Sequence, residues 1–164
     1  EAPDGATFQR VDARRLNFDQ SFDAAISLCQ GAFGLGGPAD DADDPQLLQP
    51  DLAVLGGIAR ALRPGGRFAV SAFSAYFQVA NLEQSDTFDA ASGVNHERTE
   101  IRSEFDESNE VDLWTTCYTP RELRLLFERA ELVVDAIHSA ETGTYRPLDP
   151  ATTTPEFLVL GHRP

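Results

Sequence analysis

The chain has 164 residues, 41% of them hydrophobic, which supports one packed domain and excludes a disordered polar segment. Its 27 acidic side chains outweigh 13 basic ones, all of them arginine, for a formal charge of −14. A surface of that sign repels phosphates, so we expect no nucleic-acid partner. No apolar run approaches the ~18 residues that a membrane helix needs, so no membrane partner is expected either.

The two cysteines, Cys29 and Cys117, are far apart and form no CxxC unit. With no leader pattern at the start, they suit reduced thiols in a cytoplasmic protein. There is no methionine, and the first residues, "EAPDGATFQRVDARRL", enter abruptly on what looks like a strand. We therefore expect a domain entered partway through. Residues 7–11 are short, β-branched and aromatic, and predict a strand that ends at Asp12. Residues 22–30, "FDAAISLCQ", predict a central strand buried on both faces.

Between residues 45 and 62, Leu48, Leu52, Leu55, Ile58, Ala59 and Leu62 recur at three- and four-residue steps, one face of an amphipathic helix. That helix ends at "RPGG", where Pro64 stops it and Gly65–Gly66 turns the chain. Residues 67–73, "RFAVSAF", predict the next strand, completing a strand–helix–strand unit of a parallel sheet. The polar stretch 74–117 alternates through "HERTEIRSEFDESNEVDLWTTCY" and predicts a hairpin turning near residues 107–109. Thr119, Pro120 and Glu122 open a helix with its buried face at Leu123, Leu126, Phe127 and Ala130. "LVVDAIHS" and "EFLVLGHRP" predict two final strands.

"GAFGLGG", residues 31–37, holds G-x-G-x-x-A after an apolar strand, the pattern of a dinucleotide-binding turn. Such a turn needs a helix N-terminus directly behind its glycines, to face the pyrophosphate. Here "PADDADD" follows, and four carboxylates next to a pyrophosphate would repel it. There is no G-K-[ST], which removes a P-loop as well. The glycines instead keep a loop slim at the end of a strand, and a nicotinamide enzyme is disfavoured.

The order "VDARRL…FDAAISL…helix…LRPGGRF…YTPREL…LVVDAIHS…EFLVLGHRP" resembles the C-terminal two-thirds of the class I S-adenosylmethionine-dependent methyltransferases. The resemblance implies a Rossmann-like α/β sheet, mostly parallel with a C-terminal antiparallel pair and N-terminally truncated. Residues 1–164 would be a partial methyltransferase domain, from about the family's third strand onward, with a hairpin-like insertion at about 74–117. The family's Gly-rich motif and its ribose-binding acidic residue have no counterpart in this sequence. A fragment of that kind exposes a sheet edge and is expected to aggregate or dimerise.

The resemblance also implies the chemistry: methyl transfer from S-adenosyl-L-methionine to a small-molecule acceptor. Asp12, with the backbone of Ala13, would contact the donor's adenine, and Leu28, Cys29 and Gln30 would pass near its reactive methyl. Asp12 has a plainer reading as a helix cap, Gln30 as a strand-edge cap, and Cys29 as a small buried hydrophobe. His96, in the inserted segment, is a candidate catalytic base for an acceptor that loses a proton; as a polar loop residue it would need no such role. Phe33, Tyr76 and Trp114, with Phe77 and Tyr118, would line an apolar acceptor pocket, although taken singly each fits the core better. No metal-ligand spacing occurs, and "HERTE" is not HExxH. The alternative is a non-catalytic binding or regulatory module that keeps the sheet without the cofactor loop.

Overall fold

The computed structural model describes residues 5–29, 32–37, 48–102, 108–141, 143 and 146–164. A 3-10 turn at Ala13–Arg15 precedes β1 (Phe22–Ser27), α1 (Gln49–Ala61) and β2 (Leu62–Ser74). Then follow α2 (Ala75–Ala80), β3 (Thr87–Asp89), β4 (Val94–Arg102) and β5 (Ser108–Tyr118). The chain closes with α3 (Pro120–Arg129), β6 (Val133–Ala140) and β7 (Glu156–His162).

The sheet has seven strands in the order β3-β4-β5-β2-β7-β6, with β1 also on β2. β2 is its axis. One edge of β2 carries β7, antiparallel, over residues 67–73. The other edge carries β1, parallel, up to Val70, and then β5, parallel, at Phe73 and Ser74. The sheet therefore forks where β2 passes from one partner to the other. Among the described residues parallel pairing is confined to these two contacts, and β6–β7, β2–β7, β3–β4 and β4–β5 are antiparallel. The expected C-terminal antiparallel pair is present. The sheet is less parallel than expected because the 74–117 segment joins it as a hairpin through β5.

The helices follow their sequence signals closely. Thr119 caps α3 with a reciprocal capping box to Glu122, satisfying two backbone donors at once. Leu123, Leu126 and Phe127 of α3 are buried with Val54, Leu55 and Ile58 of α1 against Phe68, Val70, Phe157 and Val159 of the sheet. Each such side chain contributes about 1.5–3 kcal/mol on leaving water. The glycines of "LRPGG" are absorbed into β2 as a bulge opposite Phe22 and Ala24, with Gly65 at φ +78°. Main-chain bonds between Gly65, Gly66 and Arg163 tie the bulge to the residue that follows β7.

Four local expectations are corrected. No strand forms at residues 7–11: nothing among the described residues pairs with them, and Asp12 instead caps the 3-10 turn. β1 is an edge strand whose outer side is open among the described residues, so Phe22 and Ile26 are exposed, Ile26 at 76%. The 74–117 segment contains α2 and β3 in addition to the hairpin. Within that hairpin Arg102 pairs with Ser108, so Ser108 and Asn109 already lie in β5, and the rest of the expected turn lies outside the described residues. No helix among the described residues is long and apolar enough to cross a membrane.

Candidate functional site at the sheet fork

In open α/β sheets, ligands bind beyond the carboxyl ends of parallel strands, where neighbouring strands diverge. The fork in this sheet is such a place, and the loop leaving β1 fills it. Leu28 is exposed there, and Cys29 is exposed with φ +51°, a left-handed conformation uncommon for a non-glycine residue. The reading of Cys29 as a buried hydrophobe is thus corrected; the buried thiol is Cys117, pushed up to about 12 by desolvation. Gln30 lies outside the described residues.

Beyond this point the loop is pinned. Phe33 is 1% exposed and stacks on Tyr118 with ring centroids 5.1 Å apart, its other neighbour being Phe127 at 6.0 Å. It is a core residue and offers no open face to an acceptor. Gly34, at φ +82°, accepts a backbone hydrogen bond from Thr116 at 2.8 Å and donates its own N–H to Asp51 Oδ1 at 2.8 Å. Tyr118 donates its hydroxyl to the other oxygen, Asp51 Oδ2.

Asp51 is 2% exposed and is the only buried carboxylate among the described residues. Burial raises its pKa, while the Tyr118 and Gly34 donors pull in the opposite direction. Burial likewise holds the Tyr118 phenol well above its ordinary value, and the Asp51 charge adds to this. Sequence inspection missed Asp51 because it sits in the first turn of a helix, where an acidic residue is common. The signal was its spacing: positions 51, 54, 55, 58 and 62 form one stripe, and the other four are Val, Leu, Ile and Leu.

The remaining candidates divide into three places. Asp12 accepts hydrogen bonds from the Arg14 amide, Nε and Nη2, all at 3.0 Å, and the Arg14 side chain holds its pKa below the ordinary value. Its carboxylate therefore stays ionised at the surface, beside Ala13, which packs partly against the core. His96 and Trp114 face each other across β4 and β5, their rings stacked 4.7 Å apart, and His96 Nε2 lies 2.9 Å from Asp112 Oδ1. By strand alternation they share the face of Thr116 and Tyr118, about 7 and 13 Å farther along the strand. Tyr76 stands apart, on α2, lining a hollow of about 420 Å³ with Val79, Phe88, Thr119 and Thr152.

A larger groove, about 570 Å³, runs under the open side of β1. Ala13, Leu16, Phe22, Leu28, Val54 and Ile58 are among its apolar walls. No group of three or more His, Cys, Asp or Glu among the described residues is arranged to hold a metal ion.

No protein-family model and no curated protein matches this sequence. Solved structures do match its fold. The CcbJ methyltransferase from Streptomyces caelestis superposes with a TM-score of 0.67 at 15% identity, over 93% of this chain and 62% of that one. An S-adenosylmethionine-dependent methyltransferase from Clostridium acetobutylicum gives 0.60 at 15% identity, covering 93% and 62%. One from Methanosarcina mazei gives 0.58 at 18% identity, covering 93% and 65%. The chain has the Rossmann-like fold of the class I methyltransferases, and it spans less than two-thirds of the length of these neighbours.

Proposed function

We propose that this chain is the acceptor-side portion of an S-adenosylmethionine-dependent methyltransferase that acts on a small molecule. The observation that carries this reading is the exposed, left-handed turn at Leu28–Cys29, held at the fork of a methyltransferase-like sheet. In this reading a Gly-rich strand and its helix pair on the open side of β1 and cover the apolar groove. The edge is suited to it: unpaired backbone and exposed Phe22 and Ile26 are what a covered strand would bury.

The described residues fit the donor from one side. Asp12, ionised and at the surface, can accept from an adenine amino group, and the backbone of Ala13 lies beside it. Leu28 and Cys29 would border the donor's methyl group, and Gln30, outside the described residues, is proposed for the same role. When bound, S-adenosylmethionine supplies a methyl group already activated by a positively charged sulfur. The protein's share is to align the acceptor in line and exclude water.

An acceptor that loses a proton can pass it to His96, whose ring is oriented by Trp114 and Asp112. Trp114 offers that acceptor a flat apolar surface. Tyr76 lies on a separate hollow and is assigned to the acceptor's far end at most. Phe33 supports the site from the core.

The test uses the product of the complete reading frame, incubated with S-adenosylmethionine labelled in its methyl group and a panel of small phenols, amines and carboxylates. Transfer to one of them, reduced at neutral pH by His96→Ala, is the expected result. Failure to bind S-adenosylhomocysteine and to transfer label would favour a binding module instead.

A further inference from the structure

The core of this protein holds a carboxylate where its neighbours in the same helical stripe are Val54, Leu55 and Ile58. An apolar side chain there would avoid the cost of desolvating a charge. What the carboxylate provides is directional: it accepts from Gly34 on one oxygen and from Tyr118 on the other. These donors belong to different pieces of structure. Gly34 lies on the loop that leaves β1, and Tyr118 ends the strand that continues into the His96–Trp114 hairpin.

Both backbone polar groups of Gly34 are thereby engaged, the N–H by Asp51 and the carbonyl by Thr116. Only four residues lie between Gly34 and the exposed Cys29, so fixing one end of that span restricts the other. Thr116 and Tyr118 meanwhile anchor the base of the hairpin at the same point. We propose that Asp51 is a positioning residue that locks the β1 loop to the base of the β4–β5 hairpin. The donor-side turn at Leu28–Cys29 and the acceptor-side surface at His96–Trp114 are then held in one fixed geometry. What each surface binds rests on the function proposed above; that the loop is held by Asp51 rests on the contacts alone.

The experiment measures amide hydrogen exchange and S-adenosylhomocysteine affinity on the same full-length protein, as wild type, Asp51→Leu and Asp51→Asn. Leucine removes both acceptors while keeping the same branching, its two methyl groups being bulkier than the carboxylate oxygens. Asparagine keeps an oxygen for the Gly34 N–H and turns an NH2 toward the Tyr118 oxygen. In Asp51→Leu, exchange at residues 32–36 should rise about tenfold, the scale of one lost charge-assisted hydrogen bond, while α3 and β7 stay as protected as in wild type. Asp51→Asn should restore protection to within about threefold, since one neutral hydrogen bond replaces a charged one.

The affinity should follow the same order, about tenfold weaker for leucine and largely rescued by asparagine. Unchanged exchange at 32–36, or a rise matched in α3 and β7, would overturn the clamp, because the residue would then be a general stabiliser or none. A loosened loop with unchanged affinity would overturn its positioning role. A wild-type protein that binds no S-adenosylhomocysteine would count against the proposed function, and the exchange data would still decide the clamp. Should Asp51→Leu not fold, Gly34→Ala strains φ +82° and sets a Cβ 3.1 Å from the Thr116 oxygen, so it should produce the same local pattern.

Discussion

Two glycine-to-alanine substitutions should move stability in opposite directions. Gly161 lies in β7 between Phe68 of β2 and Val134 of β6. A Cβ at this position would run into the Val133 carbonyl oxygen and the Phe68 ring, with Phe68 Cε1 at 2.8 Å. Relief requires either that β6 move away at Val133 or that Phe68 leave its stack on Phe127, where the centroids are 5.1 Å apart. Overpacking costs about 1–3 kcal/mol and a lost aromatic pair about 0.5–1.5. Stiffening the unfolded chain returns about 0.4–1 kcal/mol, so Gly161→Ala should lose roughly 2–3 kcal/mol.

Gly56, inside α1, meets only Arg60 Nη1, at 3.6 Å, an ordinary contact. Alanine there should gain about 0.5–1 kcal/mol of helix stability. Urea unfolding followed by the fluorescence of Trp114, the only tryptophan, reads both variants. With a slope of about 1–3 kcal/mol/M, the Gly161→Ala midpoint should fall by on the order of 1 M or more. A Gly161→Ala variant within about 0.5 kcal/mol of wild type would refute the close approach of β6, β7 and Phe68 described here, since that is the ordinary scatter of harmless substitutions.

Other consequences are as specific. Phe127→Ala should cost about 3–5 kcal/mol, because it empties the space between Phe33 and Phe68, while Leu125→Ala on the exposed side of the same helix should stay within about 0.5; equal losses would contradict the orientation of α3. Asp51 titrates higher in the folded protein than its ordinary 3.8 because it is buried. The stability tied to its protonated form is complete below about pH 3.8 and is lost as pH rises through the folded value. Measured against non-titrating Asp51→Asn, wild type should therefore lose ground as pH rises above about 3.8, and a difference that stays flat or moves in favour of wild type would contradict the burial. Ile26→Lys on the open edge of β1 should reduce self-association in sedimentation experiments with little change in unfolding midpoint; unaltered association would place the sticky surface elsewhere.

What was legible in the sequence was local. Thr119, Pro120 and Glu122 spell out a helix start within four residues, and the stripe from Leu52 to Leu62 needs only its own periodicity. β6, β7 and the β4–β5 hairpin were equally readable from alternation and β-branched content. The failures arise where the answer depends on a neighbour. Residues 7–11 have strand-like side chains but no strand beside them among the described residues, and β propensity without a partner makes no ladder. The apolar run of β1 predicts a strand buried on both faces, yet burial belongs to what packs on it, and its outer side is open among the described residues. α2 was missed because one and a half turns carry too little periodicity, although Ser74 caps it through the Phe77 amide. Asp51 was passed over because its role is written in contacts with Gly34 and Tyr118, 17 and 67 residues away.

The most direct test of the central claim is a footprint of S-adenosylhomocysteine on the protein from the complete reading frame, by residue-resolved amide exchange. A donor seated at the sheet fork should add protection at residues 12–16 and 28–34, and none in the hollow lined by Tyr76 and Val79. Binding that leaves the β1 loop unprotected, or protects the far ends of β6 and β7 instead, would contradict the placement of the donor at the sheet fork.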